Sequence, residues 1–451
     1  MADIVDAIIV GAGLSGLQAA LDLHESGRSI IVLEARDRVG GKTNSTERED
    51  GKGSHVWGYC ERFNLTPVKQ NIKGLVASED ADGSCHMFPF GELPKFEKSD
   101  VDGIVKLRDM AEAASLNPET FQKPKRDELD SISLEQWCRD FGVGTKSLLT
   151  ARVWCRGTLG QDPCEVSALA YLEICRGAMG LVNLRHDGKH GAQYLRVQEG
   201  TQSISIGISK LLPAGTIKLS TPVASITQQT PKLYTVTTSN GDTFKARKVI
   251  ISIPGPTYKN IIFDPPLPQQ KLLYTTAARY GTFVKHICLF KMPFWNRQGA
   301  CGLAQSFRGP INHCRDTSVP DRGNYALTTF LCAGPGRKWL SLIKEERTEV
   351  ILKQLGSLFG VGYETVKSEF IDSITAKWTE DRWAGWGCPF AATPPGVIGD
   401  GWKANQKLGG LYFVGTELTD EWRGYMEGAL RSGKRGAALA MADLQTEDVR
   451  L

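Results

Sequence analysis

The first 34 residues contain a complete dinucleotide-binding pattern, and no other feature of the chain constrains the fold as strongly. An apolar segment at 6–10 enters a glycine-rich turn at 11–16, and a second apolar segment follows after one helix length. Glycine tolerates such a turn, allows a pyrophosphate to approach the backbone and permits close packing of helix on strand. The helix N-terminus directs N–H groups at the phosphates. The predicted phosphate-binding residues of this turn are Gly11, Gly13, Ser15 and Gly16.

Glu34 ends the second apolar segment, 18 residues after Gly16. An acidic side chain at this distance can accept hydrogen bonds from the ribose hydroxyls of a nucleotide. A dinucleotide-binding unit requires a strand, glycines, a helix, a second strand and a terminal acid in this order, and all of them are present. A glycine-rich turn without that function would not need them. The sequence therefore predicts an α/β fold that binds a nucleotide cofactor.

Length and composition exclude several classes of protein. A chain of 451 residues exceeds the usual size of one hydrophobic core, which predicts two domains. The net charge of +4 comes without a basic block, so no nucleic-acid partner is expected. Eleven cysteines lack CxxC or zinc-like spacing, which predicts reduced thiols and no metal site. Homo-oligomer formation stays open.

The chain is expected to be soluble and to lack a membrane anchor. No apolar run approaches the ~18 residues of a membrane span, and the N-terminus carries no signal pattern. The last three residues match the Ser-Lys-Leu peroxisomal address poorly. Cytoplasm and peroxisome therefore both stay open.

The C-terminal region carries a second strand–turn–helix pattern. An apolar strand at 411–414 breaks at Gly415, and a helix is predicted to begin near Met426. Its N-terminus would direct backbone donors and positive dipole at an electron-rich group. Lys285 lies in an alternating apolar strand at 283–290. Because lysine is almost never fully buried without a partner, that position also indicates function.

These motifs resemble the flavoprotein oxidases of the monoamine oxidase family, and the resemblance spans nearly the whole chain. The segment 35–42, Ala-Arg-Asp-Arg-Val-Gly-Gly-Lys, is similar to the sequence that places further donors at the FAD pyrophosphate. The resemblance implies FAD as cofactor and an adenine contact from the backbone of Val223. The further cofactor-binding residues that it implies are Ala35, Arg36, Gly41, Lys42, Gly415, Thr416, Glu417 and Met426.

The resemblance also implies roles in chemistry. Lys285 would reach flavin N5 through a water, and Trp378 would pack near the ring. Tyr425 would form one wall of an aromatic cage. The family's second aromatic falls at Pro389, so Phe390 is the predicted substitute, with Trp386 nearby.

Cys388 has two interpretations. It lies at the distance from Pro-Pro-Gly at which animal monoamine oxidases carry a cysteine bonded to the flavin 8α-methyl. The same residue could be a buried, inert thiol, since cysteine is commonly buried. FAD is thus predicted with its covalent attachment left open.

The resemblance implies a discontinuous Rossmann-like FAD-binding domain and an α+β substrate domain, as in the amine oxidase and glutathione reductase architecture. The FAD domain is predicted at 1–66, 198–274 and 382–451, and the substrate domain at 67–197 and 275–381. Residues 42–54 lack the apolar strand that lines the flavin in the family.

The predicted function is FAD-dependent oxidation of an amine to an imine that hydrolyses, with O2 reduced to hydrogen peroxide. Two alternatives stay open. One is a related flavin oxidase or desaturase that acts on a polyamine, an amino acid or a biosynthetic intermediate. The other is a non-catalytic flavoprotein, because a flavin-lining strand is missing after Lys42.

Overall fold

The computed structural model describes residues 4–43, 55–189, 191–389, 391–399 and 405–449. Within these residues the chain forms 17 strands and 14 α-helices. The strands are β1 (Ile4–Val10), β2 (Ile30–Leu33), β3 (Pro67–Lys69), β4 (Leu75–Glu79), β5 (Cys85–Pro89), β6 (Leu195–Val197), β7 (Ile217–Lys218), β8 (Val223–Thr230), β9 (Leu233–Thr238), β10 (Thr243–Ile251), β11 (Ile262–Asp264), β12 (Phe283–Phe290), β13 (Ala300–Ser306), β14 (Ile311–Asp316), β15 (Tyr325–Cys332), β16 (Phe370–Lys377) and β17 (Leu411–Phe413). The helices are α1 (Leu14–Glu25), α2 (His55–Arg62), α3 (Lys98–Leu116), α4 (Lys125–Ser131), α5 (Leu134–Asp140), α6 (Thr145–Leu159), α7 (Ala168–Gly177), α8 (Leu181–Arg185), α9 (Gln202–Leu211), α10 (Gln269–Ala277), α11 (Ala333–Leu340), α12 (Lys344–Leu358), α13 (Tyr363–Glu369) and α14 (Met426–Asp448).

An eight-stranded sheet contains both predicted nucleotide motifs. Its order is β11-β8-β9-β10-β1-β2-β7, and β17 pairs with the C-terminal half of β10. The strands β2, β1, β10 and β17 are parallel, and Ala7 of β1 lies opposite both Ile30 and Lys248. Parallel strands buried on both faces read as continuous apolar runs, which is how β1 and β10 appear in the sequence. Their carboxyl ends form the edge at which a nucleotide binds in such sheets.

The predicted hairpin around Asn240-Gly241 is present. Strands β9 and β10 pair antiparallel with Thr243 opposite Thr237, and Gly241 has φ +89°. A positive φ in a tight turn favours glycine because other residues are strained there.

Helices α1 and α14 pack against one face of this sheet at very short range. A Cβ added to Gly16 would lie 2.0 Å from the carbonyl oxygen of Gly11, and one added to Gly433 would lie 2.2 Å from that of Ser15. Leu17 and Leu430 are fully buried in the core that the two helices share. Glycine at both positions therefore lets the backbones meet.

A seven-stranded sheet forms the second large unit, in the order β16-β12-β15-β14-β13-β4-β5. Its core includes Val284 and Cys288 of β12 and Ile351 and Leu355 of α12, all fully buried. A separate helical core is built around α6 and α7 and encloses Trp154. The predicted domain division at residues 67, 198, 275 and 382 stays a prediction.

Gly433 provides a test of this helix packing. Gly433→Ala should destabilise the protein by ~1–3 kcal/mol, the usual cost of overpacking, because the added methyl meets backbone. Gly58→Ala is the matched control, since this exposed glycine of α2 has no atom within 4 Å of an added Cβ. Alanine is the better helix former by up to ~1 kcal/mol, so the control should melt at the same or a higher temperature than wild type. Equal midpoints of thermal unfolding for both variants would contradict this account of the helix contact.

Candidate active site

The turn between β1 and α1 has the geometry of a phosphate cradle. Gly11 has φ +101°, and its N–H donates to the Leu33 carbonyl at 2.8 Å. A Cβ added to Gly13 would have no atom within 4 Å, which leaves open space above the backbone. Gly13 caps α1 without a side-chain hydrogen bond, and the buried Ser15 hydroxyl has no hydrogen-bond partner among the described residues. The first-turn donors of α1 thus fit an anionic group.

Glu34 is buried at the carboxyl end of β2. One carboxylate oxygen accepts from the Ala12 N–H at 2.7 Å, and the other accepts from the Arg36 N–H at 2.9 Å. An ionised carboxylate has about four acceptor sites, so capacity for ribose hydroxyls is left. The Thr221 N–H donates to the Glu34 carbonyl at 2.8 Å, which brings the chain just before Val223 alongside.

The segment that follows Glu34 folds back onto the glycine turn. Gly40 forms a parallel bridge with Gly13, and a Cβ on Gly41 would lie 3.4 Å from the Gly13 Cα. Ala35 precedes Arg36, whose guanidinium donates to Asp381 at 2.8 Å. The predicted cofactor-binding residues Gly13 and Gly41 therefore lie close together, and Ala35 and Arg36 belong to the segment that leads from Glu34 to them. The missing strand falls mostly on 44–54, outside the described residues.

The C-terminal motif forms the opposite end of the site. Helix α14 begins at Met426, with Tyr425 as an N-cap that makes no side-chain hydrogen bond to the helix. The Thr416 hydroxyl donates to the Tyr425 carbonyl at 2.8 Å, and the Gly415 N–H donates to the Ser432 hydroxyl at 3.0 Å. These bonds fix the strand-to-helix turn while leaving the first N–H groups of the long helix available to an electron-rich group.

Lys42 and Glu417 meet through Tyr280. The Tyr280 hydroxyl donates to Glu417 at 2.6 Å, and Lys42 Nζ lies 3.4 Å from the centroid of the Tyr280 ring. No described residue hydrogen-bonds to Lys42 Nζ. Burial lowers the pKa of Lys42 to about 8, against opposing effects of Glu417 and Cys388. An anionic cofactor is a suitable counter-charge for this ammonium.

Lys285 and Cys388 lie at the same end of the second sheet. Cys388 is buried in a cluster with Phe283 and Cys332, against which Trp378 packs. Burial raises the pKa of the Cys388 thiol, and the ammonium groups of Lys42 and Lys285 oppose that rise. Burial also lowers the pKa of Lys285. The predicted Lys285, Trp378 and Cys388 are therefore neighbours.

Tyr425 lines the site from the helix side. Its hydroxyl accepts from Gln193 Nε2 at 3.1 Å, and its ring meets Trp422 edge-on at 5.7 Å. Burial raises the pKa of the phenol well above its usual value, so it stays neutral. Trp386, which lies near the predicted second wall in sequence, is 53% exposed. Phe390 lies outside the described residues, and its role stays a prediction.

Several residues of the site carry no signal in the sequence. Tyr280, Gln193 and Asp381 are single polar residues in ordinary loops, and only the folded chain brings them to Lys42, Tyr425 and Arg36. Phe330 alternates within β15 like any core residue. A hydrogen bond across 137 or more residues has no local pattern to reveal it.

The residues fit FAD at both ends. The open Gly13, the unpartnered Ser15 hydroxyl and Glu34 suit the adenosine diphosphate portion, while the unpartnered Lys42 and the free start of α14 suit the electron-rich ring. In the described part of the chain, no group of three His, Cys, Asp or Glu residues could hold a metal ion. None of the described helices is both long and apolar enough for a membrane crossing.

Comparison with known proteins agrees with this geometry. The family profile described as flavin containing amine oxidoreductase matches residues 14–441. Flavin-containing amine oxidase B of Homo sapiens is 30% identical over 97% of this chain and 86% of its own length. A flavin-containing amine oxidase of Oncorhynchus mykiss is also 30% identical, over 97% of this chain and 86% of its own.

Solved structures show the same architecture. Putrescine oxidase bound to putrescine superposes with a TM-score of 0.88, at 23% identity, over 98% of this chain and 99% of its own. Cyclohexylamine oxidase from Brevibacterium oxydans gives 0.87, at 25% identity, over 98% and 100%. The predicted Rossmann-like and α+β fold class is therefore confirmed.

Gly13 allows cofactor binding to be tested apart from folding. Gly13→Ala should leave the stability of the apoprotein unchanged, because the position has φ −73° and free space. It should weaken FAD binding about tenfold or more, since the methyl occupies the pyrophosphate's place. Gly144→Ala is the matched control, an N-cap with φ −71° and no atom within 4 Å of an added Cβ. FAD titration by fluorescence quenching measures both variants. Equal affinities would show that no phosphate lies over Gly13.

Proposed function

The chain belongs to the flavin-containing amine oxidoreductase family, whose activity is the FAD-dependent oxidation of amines, and we propose that Lys285, Tyr425 and Cys388 carry that reaction here. The observation that supports this assignment most is the neighbourhood of Lys285. The half-buried Lys285 ammonium lies beside the cluster that contains Cys388 and Trp378, and no described carboxylate bonds to it. Holding a cation partly out of water without a counter-charge is unfavourable, so its retention here indicates a functional role.

FAD, when bound, would supply the redox chemistry, in which the amine loses one hydride equivalent (two electrons and a proton) from its α-carbon and one proton from nitrogen, O2 is reduced to hydrogen peroxide, and water hydrolyses the imine. The protein's contribution is orientation and electrostatics. Within the cradle, Gly13 and Ser15 would hold the pyrophosphate and Glu34 the ribose. The backbone of Val223 would bind the adenine.

Lys285 positions and exchanges a proton at the reacting edge. Burial and the nearby Arg315 both lower the pKa of Lys285, while Cys388 opposes them. A lowered pKa brings proton exchange at Nζ closer to neutral pH, where general acid–base groups work best. Nζ is also the group able to hold a water in front of the ring.

Tyr425 selects the form of the amine that reacts. Its ring would form one side of the slot for the amine, and its neutral hydroxyl accepts from Gln193. Burial disfavours an unpaired ammonium, so the amine enters in its neutral form with a free electron pair. We propose Phe390 for the facing wall.

Cys388 is proposed as the covalent anchor of the flavin. In one solved putrescine oxidase, a cysteine was introduced as a redesign of cofactor binding. Burial raises the pKa of the Cys388 thiol, and the ammonium groups of Lys42 and Lys285 oppose that rise. A bond from Sγ to the 8α carbon removes the thiol hydrogen and one 8α hydrogen, and O2 takes up both as hydrogen peroxide.

Acid precipitation tests the covalent anchor. The wild-type precipitate should stay yellow, whereas Cys388→Ala should release its FAD into the supernatant because no bond then holds it. Cys332→Ala is the matched control, a buried thiol of the same cluster that should keep the flavin attached. Free FAD in the wild-type supernatant would refute the covalent bond and leave the oxidase assignment intact.

Lys285→Met tests the assignment of the reaction. The variant keeps the length of the stem but loses the charge, so it should retain FAD and slow flavin turnover about 10²–10⁴-fold. Lys291→Met serves as control, since this exposed lysine donates to the Ser368 carbonyl at 2.9 Å. Stopped-flow absorbance follows anaerobic bleaching by amines and recovery with O2. A wild-type protein that binds FAD but is bleached by no amine would contradict the proposed function.

A further inference from the structure

Three cationic side chains converge near Tyr425. Arg315 and Lys285 approach the same ring, with the Arg315 guanidinium carbon 5.9 Å and Lys285 Nζ 5.7 Å from the Phe330 centroid. His313 stacks on that ring at 4.3 Å. Burial lowers the pKa of His313 well below its usual value, and the neighbouring cations add to the effect, so the imidazole is neutral.

Arg185, at the end of α8, is the third cation. Its guanidinium carbon lies 4.9 Å from the centroid of the Trp154 ring, and none of the described residues accepts a hydrogen bond from it. Burial lowers the pKa of Arg185 to about 10, Tyr171 and Asp187 oppose the change and Arg315 adds to it. Arg185 therefore stays charged at neutral pH, close to Arg315.

The negative charge at this place is too small to compensate. Asp187 accepts from Arg315 Nε at 2.8 Å, and in the described part of the chain that is the hydrogen bond Arg315 makes. Among the described residues, the two terminal nitrogens of Arg315 have no hydrogen-bond partner. Asp187 acts on both Arg185 and Arg315, and no described carboxylate bonds to Lys285. Holding several partly buried cations close together is unfavourable unless a ligand supplies the opposite charge.

The arginines are tied to the reacting end of the site. Gln193 Nε2 donates both to the Leu184 carbonyl, next to Arg185, at 3.3 Å and to the Tyr425 hydroxyl at 3.1 Å. Arg315 and Asp187 act in opposite directions on the pKa of Tyr425. An anion bound by the arginines would therefore lie beside the slot that receives the amine.

We propose that the substrate is an amine that carries a carboxylate, and that Arg185 and Arg315 bind this carboxylate while the amine faces Lys285 and Tyr425. This inference rests on the proposed function and deepens it. The planar guanidinium is the side chain best suited to a carboxylate, because its N–H groups match the two oxygens. The same charges act against a diamine, whose second ammonium would meet three cations.

Calorimetric titration of the holoenzyme with benzoate tests the anion site without catalysis. Benzoate should bind about tenfold or more tightly than benzamide, which has the same shape and no charge. Arg185→Met should weaken benzoate binding about tenfold to hundredfold, and Arg185→Lys should weaken it less. Arg176→Met is the control, an exposed arginine 4.5 Å from the Phe121 ring. Equal affinities for benzoate and benzamide, or for the Arg185→Met and Arg176→Met variants, would overturn the proposal.

Matched substrates separate this inference from the proposed function. Phenylalanine should bleach the bound flavin faster than 2-phenylethylamine, and 5-aminovalerate faster than pentylamine, with Arg185→Met reversing the preference. Preference of the wild type for the uncharged amines would refute the carboxylate site and keep the oxidase. If no amine bleaches the flavin, the oxidase is refuted, and the benzoate titration decides the anion site by itself.

Discussion

The close contact between the first turn of α1 and the middle of α14 is the constraint on which the site depends. With Gly433 against the Ser15 carbonyl, the two helices share one core although they are separated by most of the chain. Met426 lies seven residues before Gly433, which places the start of α14 about 10 Å along its axis from the start of α1. The two free helix ends are thereby set apart by a distance suited to a dinucleotide with its phosphates at one end and its ring at the other.

Sequence reasoning recovered the parts of this arrangement that are local. The unit β1–α1–β2, the β9–β10 hairpin and the start of α14 each carry a pattern of glycines and apolar periodicity, so they were predictable. Lys285 was predictable for another reason, since a lysine in an apolar strand is an anomaly. The facing wall of the cage stays a prediction, because the sequence there departs from the family pattern at Pro389.

The remainder of the site could not be predicted, since it arises from contacts between distant segments. Arg185, Arg315 and Tyr280 are unremarkable in their own segments, and their importance comes from burial next to one another. Burial lowers the pKa of Lys42, Lys285 and Arg185 alike. A protein interior that holds several weakly compensated cations is organised around the charge of its ligands, because those ligands complete the electrostatic balance.

The order of strands in the first sheet has a consequence for biosynthesis. Strand β10 separates β1 from β17 in that sheet, so the N-terminal unit waits for partners that are made much later. At 5–20 residues per second, a ribosome needs roughly 12–47 s between the end of β1 and the start of its neighbour β10. During that interval the nascent β1 exposes an apolar edge that chaperones can shield. Because β17 and α14 lie in the last 41 residues, the two ends of the site come together only after almost the whole chain has been made.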